Sequence, residues 1–151
     1  DAPAFGRVRE HFEILQQAVD AESGAIVKTM GDAIMATFRT PACAIRAIWN
    51  VQKELASRGE PALSIKVGIH HGPCIIVNLN DRLDYFGSTV NIAARLPHFS
   101  AGGEVIFSES IRNDPEVTEF LEKNAKPNSL SRFTSEIRGY DQSIELWKIK
   151  V

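Results

Sequence analysis

The spacing of apolar residues changes several times along this chain, and each change marks an element. Phe5, Val8, Phe12, Leu15 and Val19 recur at helical spacing, so residues 4–22 read as an amphipathic helix that Ser23-Gly24 ends. Ala25-Ile26-Val27 opens a strand, Met30-Gly31-Asp32 is a tight turn, and residues 33–38 form a second strand of the hairpin. Thr40 suits an N-cap and Pro41 the first helical position. Ile45, Ile48, Gln52 and Leu55 then mark one face of a second long helix, which Gly59-Glu60-Pro61 breaks. Residues 63–69 alternate as a strand with one buried face.

Gly72-Pro73 turns the chain, and residues 74–77 read as the antiparallel return of that strand. Residues 78–81 are a polar turn. Gly87 precedes a third helix over about 89–96, stopped by Pro97. Ala101-Gly102-Gly103 leads into a strand at 104–107, and Ser108 is placed to cap a short helix. A further helix is expected over about 115–121. Two closing strands, about 133–137 and 144–151, flank Gly139-Tyr140-Asp141. Helices alternating with hairpins predict an α/β sandwich, a mixed sheet with helices packed on it. No internal repeat or linker divides residues 1–151, so one domain is expected.

Bulk properties narrow the picture. An apolar fraction of 44% and a charged fraction of 24% are those of an ordinary globular protein. A net charge of −2 provides no general attraction to nucleic acid or anionic lipid. No apolar run reaches the ~20 residues of a membrane span, and the first residues lack a signal-peptide pattern. Cys43 and Cys74 stand far apart in no metal-ligand spacing and are expected as small buried hydrophobes. A reducing, cytoplasmic setting follows, with tethering by segments outside this sequence left open.

A few residues offer chemistry. Asp32, at the first hairpin's tip, is either a Mg²⁺ ligand or an ordinary turn carboxylate. Lys28 lies four residues earlier on the incoming strand. Asn91 and Arg95 are four apart in a helix and share a face. A guanidinium beside a carboxamide suits charge developing on phosphate oxygens, though a plain polar helix face would look the same. Asp84 is either a site group or a loop residue. His70-His71, Met30, Met35 and Gly102-Gly103 read as structural.

In combination these stretches resemble the catalytic domain of the class III adenylate and guanylate cyclases. Lys28-Thr29-Met30-Gly31-Asp32 with Ala36-Thr37-Phe38 is similar to that family's first hairpin. Val67-Gly68-Ile69-His70-His71-Gly72 is similar to its central strand. Asp84-Tyr85-Phe86-Gly87 and Val90-Asn91-Ile92-Ala93-Ala94-Arg95-Leu96 match its most specific signature, and Gly102-Gly103-Glu104-Val105-Ile106-Phe107-Ser108 follows. The likeness covers about residues 4–110 well and the remainder loosely.

The resemblance implies a ferredoxin-like, mostly antiparallel sheet, with ATP converted to 3′,5′-cyclic AMP and pyrophosphate. Asp32 would be one of two aspartates holding two Mg²⁺ or Mn²⁺ ions. Asn91 would orient the ribose, Arg95 would stabilise charge on the α-phosphate, and Lys28 and Asp84 would read the base. A lysine donor and a carboxylate acceptor complement adenine, whereas guanine would frustrate both contacts, so ATP is favoured over GTP. The family's other metal aspartate lies on a strand before the first helix, which this sequence does not include. Arg138 stands in the region that usually supplies a phosphate-binding lysine. Because the family's sites lie between protomers and both half-sites occur here, a homodimer is expected. A sensor domain elsewhere in the full protein would fit. A degenerate module for dimerisation or nucleotide sensing is the alternative, and a guanylate cyclase is a third possibility.

Overall fold

The computed structural model describes residues 2–58 and 65–151, with side chains from Arg9 onward in the first stretch. The expected helix break at Gly59-Glu60-Pro61 and the first two residues of the strand expected at 63–69 lie outside them. The chain forms two compact units, Asp1–Leu63 and Ser64–Val151.

In the first unit, α1 (Ala2–Ala21) is followed by β1 (Ala25–Met30), β2 (Ala33–Thr37) and α2 (Pro41–Ser57). Ser23 ends α1 with a left-handed φ of 56°. Its N–H bonds to the Asp20 carbonyl at 3.0 Å, and the Gly24 N–H bonds to that of Val19 at 2.9 Å, which satisfies two carbonyls the helix leaves open. Gly24 serves a different need, since a Cβ there would lie 2.7 Å from the Phe38 ring. The buried face of α1 departs from the expected stripe. Ile14 and Val19 are buried, while Phe12 is 39% exposed. α2 starts as expected, with Pro41 in its first turn and the Cys43 N–H donating to Thr40 Oγ1 at 3.2 Å. Ile45, Gln52 and Leu55 are buried, together with Ala42, Ala47, Trp49 and Val51. α1 packs on α2, and Arg46 pairs with Glu22 at 2.9 Å across their ends.

The second unit holds β3 (Val67–Ile69), β4 (Ile75–Leu79), β5 (Arg82–Phe86), α3 (Ser88–Arg95), a 3₁₀ turn at Leu96–Phe99, β6 (Glu104–Ser108), α4 (Glu109–Arg112), α5 (Pro115–Asn124), β7 (Leu130–Glu136) and β8 (Ser143–Lys150). β3, β6, β8 and β7 form one sheet in that order; β3 runs parallel to β6, and the other pairs are antiparallel. This is the mixed sheet with helices that the pattern predicts. β6 is its buried centre, with Val105, Ile106, Phe107 and Ser108 all buried. Ile92 and Leu96 of the α3 segment pack with Ile106, Leu146 and Ile137, and Phe99, Phe133 and Ile144 border them. α4 packs on β6 and β8. No helix among the described residues is long and apolar enough to cross a membrane.

Three local expectations are corrected. Residues 75–79 do not return along β3; they pair with β5 as a separate hairpin whose tip is Asn80-Asp81. β3 takes β6 as its partner because a buried parallel strand satisfies its backbone and its apolar side chains at once. Ser108 precedes α4 but its hydroxyl does not cap it; Ser108 Oγ lies 2.6 Å from His70 Nδ1 and 3.1 Å from Ser110 Oγ. The cysteines are free thiols but not buried ones. Cys43 is half-buried in the first turn of α2, where Thr40 Oγ1 reaches its sulfur at 3.1 Å, and Cys74 is exposed before β4.

Candidate active-site residues

α3 is placed by glycines that let backbone and helix approach closely. A Cβ on Gly68 of β3 would lie 2.6 Å from Leu96 Cβ and Pro97 Cδ and 2.9 Å from the Ala93 carbonyl. A Cβ on Gly72 would lie 2.7 Å from Thr89 Oγ1, and that hydroxyl donates to the Pro73 carbonyl at 2.5 Å. Both ends of the helical segment are thereby held against the strand that precedes it. Gly87 enters α3 with φ 123°, a conformation that a side chain would disfavour.

The inward face of this segment carries Ile92, Leu96 and Phe99 into the core. Its other face lines a cavity of ≈ 290 Å³ with Asn91, Ala94, Arg95 and His98. Asn91 and Arg95 therefore share a face, as their spacing predicts. Arg95 is half-buried, yet no carboxylate pairs with it among the described residues. A partly desolvated guanidinium beside a carboxamide, with no acid among the described residues that line the cavity, favours an anionic ligand. The volume is small for a whole nucleoside triphosphate and suits part of one.

Lys28 and Asp32 belong to the first unit. Lys28 is half-buried on β1, just after an irregularity at Val27 where the register shifts between Ile26 and Lys28. Such a bulge re-aims the side chains beyond it. Gly31, with φ 64°, makes the turn that carries Asp32. Asp32 is exposed and takes no hydrogen bond or ion pair among the described residues. Asp84 belongs to the second unit, half-buried on β5 opposite Val77, and its Oδ1 accepts the Tyr85 N–H at 2.8 Å. It is a strand residue, so the loop alternative is set aside.

His98 was not among the residues expected at the site. The spacing signal was present, since 91, 95 and 98 continue one stripe. Pro97 masked it by suggesting a stop. α3 does end at Arg95, and the proline sits early in a 3₁₀ turn that continues the same face. His70 is half-buried against Ser108, and burial, with the neighbouring His71 charge, pushes its imidazole below the ordinary value.

Comparison with known proteins agrees with the fold. The model of the adenylate and guanylate cyclase catalytic domain matches residues 4–144. An adenylate cyclase of Anabaena cylindrica is 26% identical over 165 residues, covering 97% of this chain and 32% of that protein. The chain spans about a third or less of the length of its curated relatives. Among solved structures, a Trypanosoma brucei adenylate cyclase in its monomeric state superposes with a TM-score of 0.80 at 19% identity, covering 94% of this chain and 78% of that one. The dimeric guanylyl cyclase domain of the RhoGC fusion protein of Blastocladiella emersonii superposes with a TM-score of 0.71 at 16% identity, covering 96% and 82%.

Proposed function

For a chain that belongs to the adenylate and guanylate cyclase catalytic domain family, we propose that it converts ATP to 3′,5′-cyclic AMP and pyrophosphate in a homodimer. The observation that carries this is the unpaired Arg95 beside Asn91 on one cavity wall. In the reaction the ribose 3′-oxygen forms a bond to the α-phosphorus while the bond to the pyrophosphate oxygen breaks; the hydroxyl proton leaves to solvent. Asn91 holds the ribose by its carboxamide. Arg95 binds the α-phosphoryl oxygens as their charge rises, which a preorganised guanidinium does without rearrangement. Lys28 donates to the adenine ring nitrogen and Asp84 accepts from its exocyclic amine.

Asp32 fits a hard cation shared with the substrate, because an exposed, unpaired carboxylate on a rigid turn is the kind of ligand Mg²⁺ takes beside phosphate oxygens. The described residues hold no group of three His, Cys, Asp or Glu able to bind an ion by themselves. When bound, Mg²⁺ or Mn²⁺ would offset triphosphate charge and acidify the attacking hydroxyl.

Support for a second copy as partner comes from the β4–β5 hairpin. Ile75, Phe86 and Leu79 lie on one of its faces and Ile76 and Leu83 on the other, all between 43% and 64% exposed. Apolar side chains on both faces of a ribbon are costly unless covered. Asp84 sits on the first of these faces, so covering it brings a partner beside a base-reading group.

The test is turnover by the full-length protein with ATP and with GTP, in Mg²⁺ or Mn²⁺, with both cyclic nucleotides measured directly. Cyclic AMP as the main product supports the proposal. Cyclic GMP with little cyclic AMP makes it a guanylate cyclase, and nucleotide binding without product makes it a sensing module.

A further inference from the structure

We propose that His98 binds the leaving pyrophosphate portion of the substrate, a role that rests on the cyclase reading of the same cavity. Four of the described residues line that cavity, and they fall at i, i+3, i+4 and i+7 on one stripe: Asn91, Ala94, Arg95 and His98. The stripe follows the order of the substrate's parts. Asn91 serves the ribose and Arg95 the α-phosphate, so the next polar group along the wall stands where the β- and γ-phosphates continue. Three residues advance the wall by roughly 5–6 Å in a helix or 3₁₀ turn, about the step from one substrate group to the next.

His98 is also held on a rigid support. Leu96 is fully buried, and Phe99 packs on the same core cluster. Pro97 packs against Gly68, and the Ser100 N–H closes the turn on the Pro97 carbonyl at 3.0 Å. The backbone on both sides of His98 is therefore fixed, while its side chain is exposed and takes no partner among the described residues. A fixed backbone with a side chain open to a ligand is the arrangement that lowers the entropy lost on binding. Ala94, with only a methyl group, leaves the space between Arg95 and His98 clear. Among the described residues the lining contains an imidazole, a guanidinium and a carboxamide but no carboxylate, which fits a polyanion. An imidazole N–H donates one hydrogen bond to a phosphate oxygen in any tautomer.

The experiment uses the full-length protein with Mg²⁺ and compares wild type, His98→Ala, His98→Arg and Arg95→Ala. ATP turnover is measured, together with inhibition by inorganic pyrophosphate and by adenosine. His98→Ala, which removes the donor, should raise KM for ATP and Ki for pyrophosphate in parallel, by about five- to tenfold, with kcat within about twofold. Ki for adenosine should not change. His98→Arg should keep both constants within about twofold of wild type, because it retains N–H donors on the same wall. Unchanged KM and pyrophosphate Ki in His98→Ala overturn the proposal. So does a parallel loss of adenosine inhibition, which would mark a general distortion. The cyclase reading fails separately, through wild-type protein that forms no cyclic nucleotide or Arg95→Ala that turns over normally. In that case calorimetric binding of pyrophosphate to wild type and His98→Ala still decides the role of His98.

Discussion

Two of the hairpins, β1–β2 and β4–β5, turn through two-residue tips but treat their apolar side chains in opposite ways. β1–β2 turns at Gly31-Asp32 and keeps most of its apolar residues half-buried. β4–β5 turns at Asn80-Asp81, both with positive φ, and exposes five large apolar side chains over its two faces. Asn and Asp tolerate that conformation, and the turn it builds matches the twist of a hairpin. The first hairpin presents a single carboxylate at its tip, whereas the second presents a hydrophobic ribbon. A ribbon of this kind is stable in water only when something covers it. Under the proposed function the first hairpin supplies a metal ligand, and the second supplies a surface for a partner together with Asp84.

The largest effect expected from breaking this comparison is at Asp32. Asp32→Ala should lower cyclic AMP formation by at least about a hundredfold while leaving the thermal midpoint unchanged, since an exposed turn carboxylate carries no core packing. Arg95→Ala should be equally inactive. Mixed under conditions of confirmed subunit exchange, the two inactive chains should regain about a quarter of wild-type rate, because roughly half the chains pair as heterodimers with one intact site of two. An exchanged mixture that stays inactive would defeat the shared-site arrangement.

The second hairpin is tested by Ile76→Glu with Leu83→Glu. Both side chains are exposed in the single chain, so folding should change by less than about 0.5 kcal/mol. Association should weaken by about a hundredfold or more, because two charges would be buried at the contact. Sedimentation velocity and turnover against protein concentration measure this. Wild-type dimerisation by the double variant would remove the hairpin from the interface.

The next effect joins the two regions. Lys28→Glu with Asp84→Cys should lower the ATP over GTP preference in kcat/KM by about tenfold or more, since donor and acceptor would then complement guanine. A still-active double variant with undiminished ATP preference places base reading elsewhere.

Smaller changes separate the support of α3 from its chemistry. Gly68→Ala puts a Cβ 2.6 Å from Leu96 and Pro97, and should cost about 1–3 kcal/mol in urea unfolding while also lowering turnover. The smallest effect concerns pH. Burial holds the His70 imidazole below its ordinary value, so the unfolded chain takes up a proton first. Stability should therefore be full above the ordinary imidazole range near 6.5 and fall as pH drops through it. His70→Gln should shrink that acid limb in thermal melts. It should not remove it, because burial shifts His11 in the same direction.

Much of this was legible along the chain because its signals are local. The cap and proline of α2, the glycine turn before Asp32, the glycines that lead into β6 and the four-residue step from Asn91 to Arg95 all depend on neighbours in sequence. Where the reading failed, a distant neighbour had decided the outcome. Gly72-Pro73 looked like a hairpin turn, but β3 found β6 as partner some thirty-five residues later. Ser108 had the chemistry of a cap, but His70 was nearer to its hydroxyl. Pro97 does end α3 as expected, and what the sequence did not show is the 3₁₀ turn that carries His98 onto the cavity.

The sequence by itself determined most element types, the cyclase signature and the residues proposed to carry its chemistry, because period, turn propensity and side-chain chemistry are properties of adjacent residues. Only the tertiary structure decided which strands pair, which apolar residues stay exposed and which polar groups share one wall. Those outcomes depend on burial and close approach between residues far apart in the chain. A pattern of apolar positions predicts that a surface will be covered without saying by what.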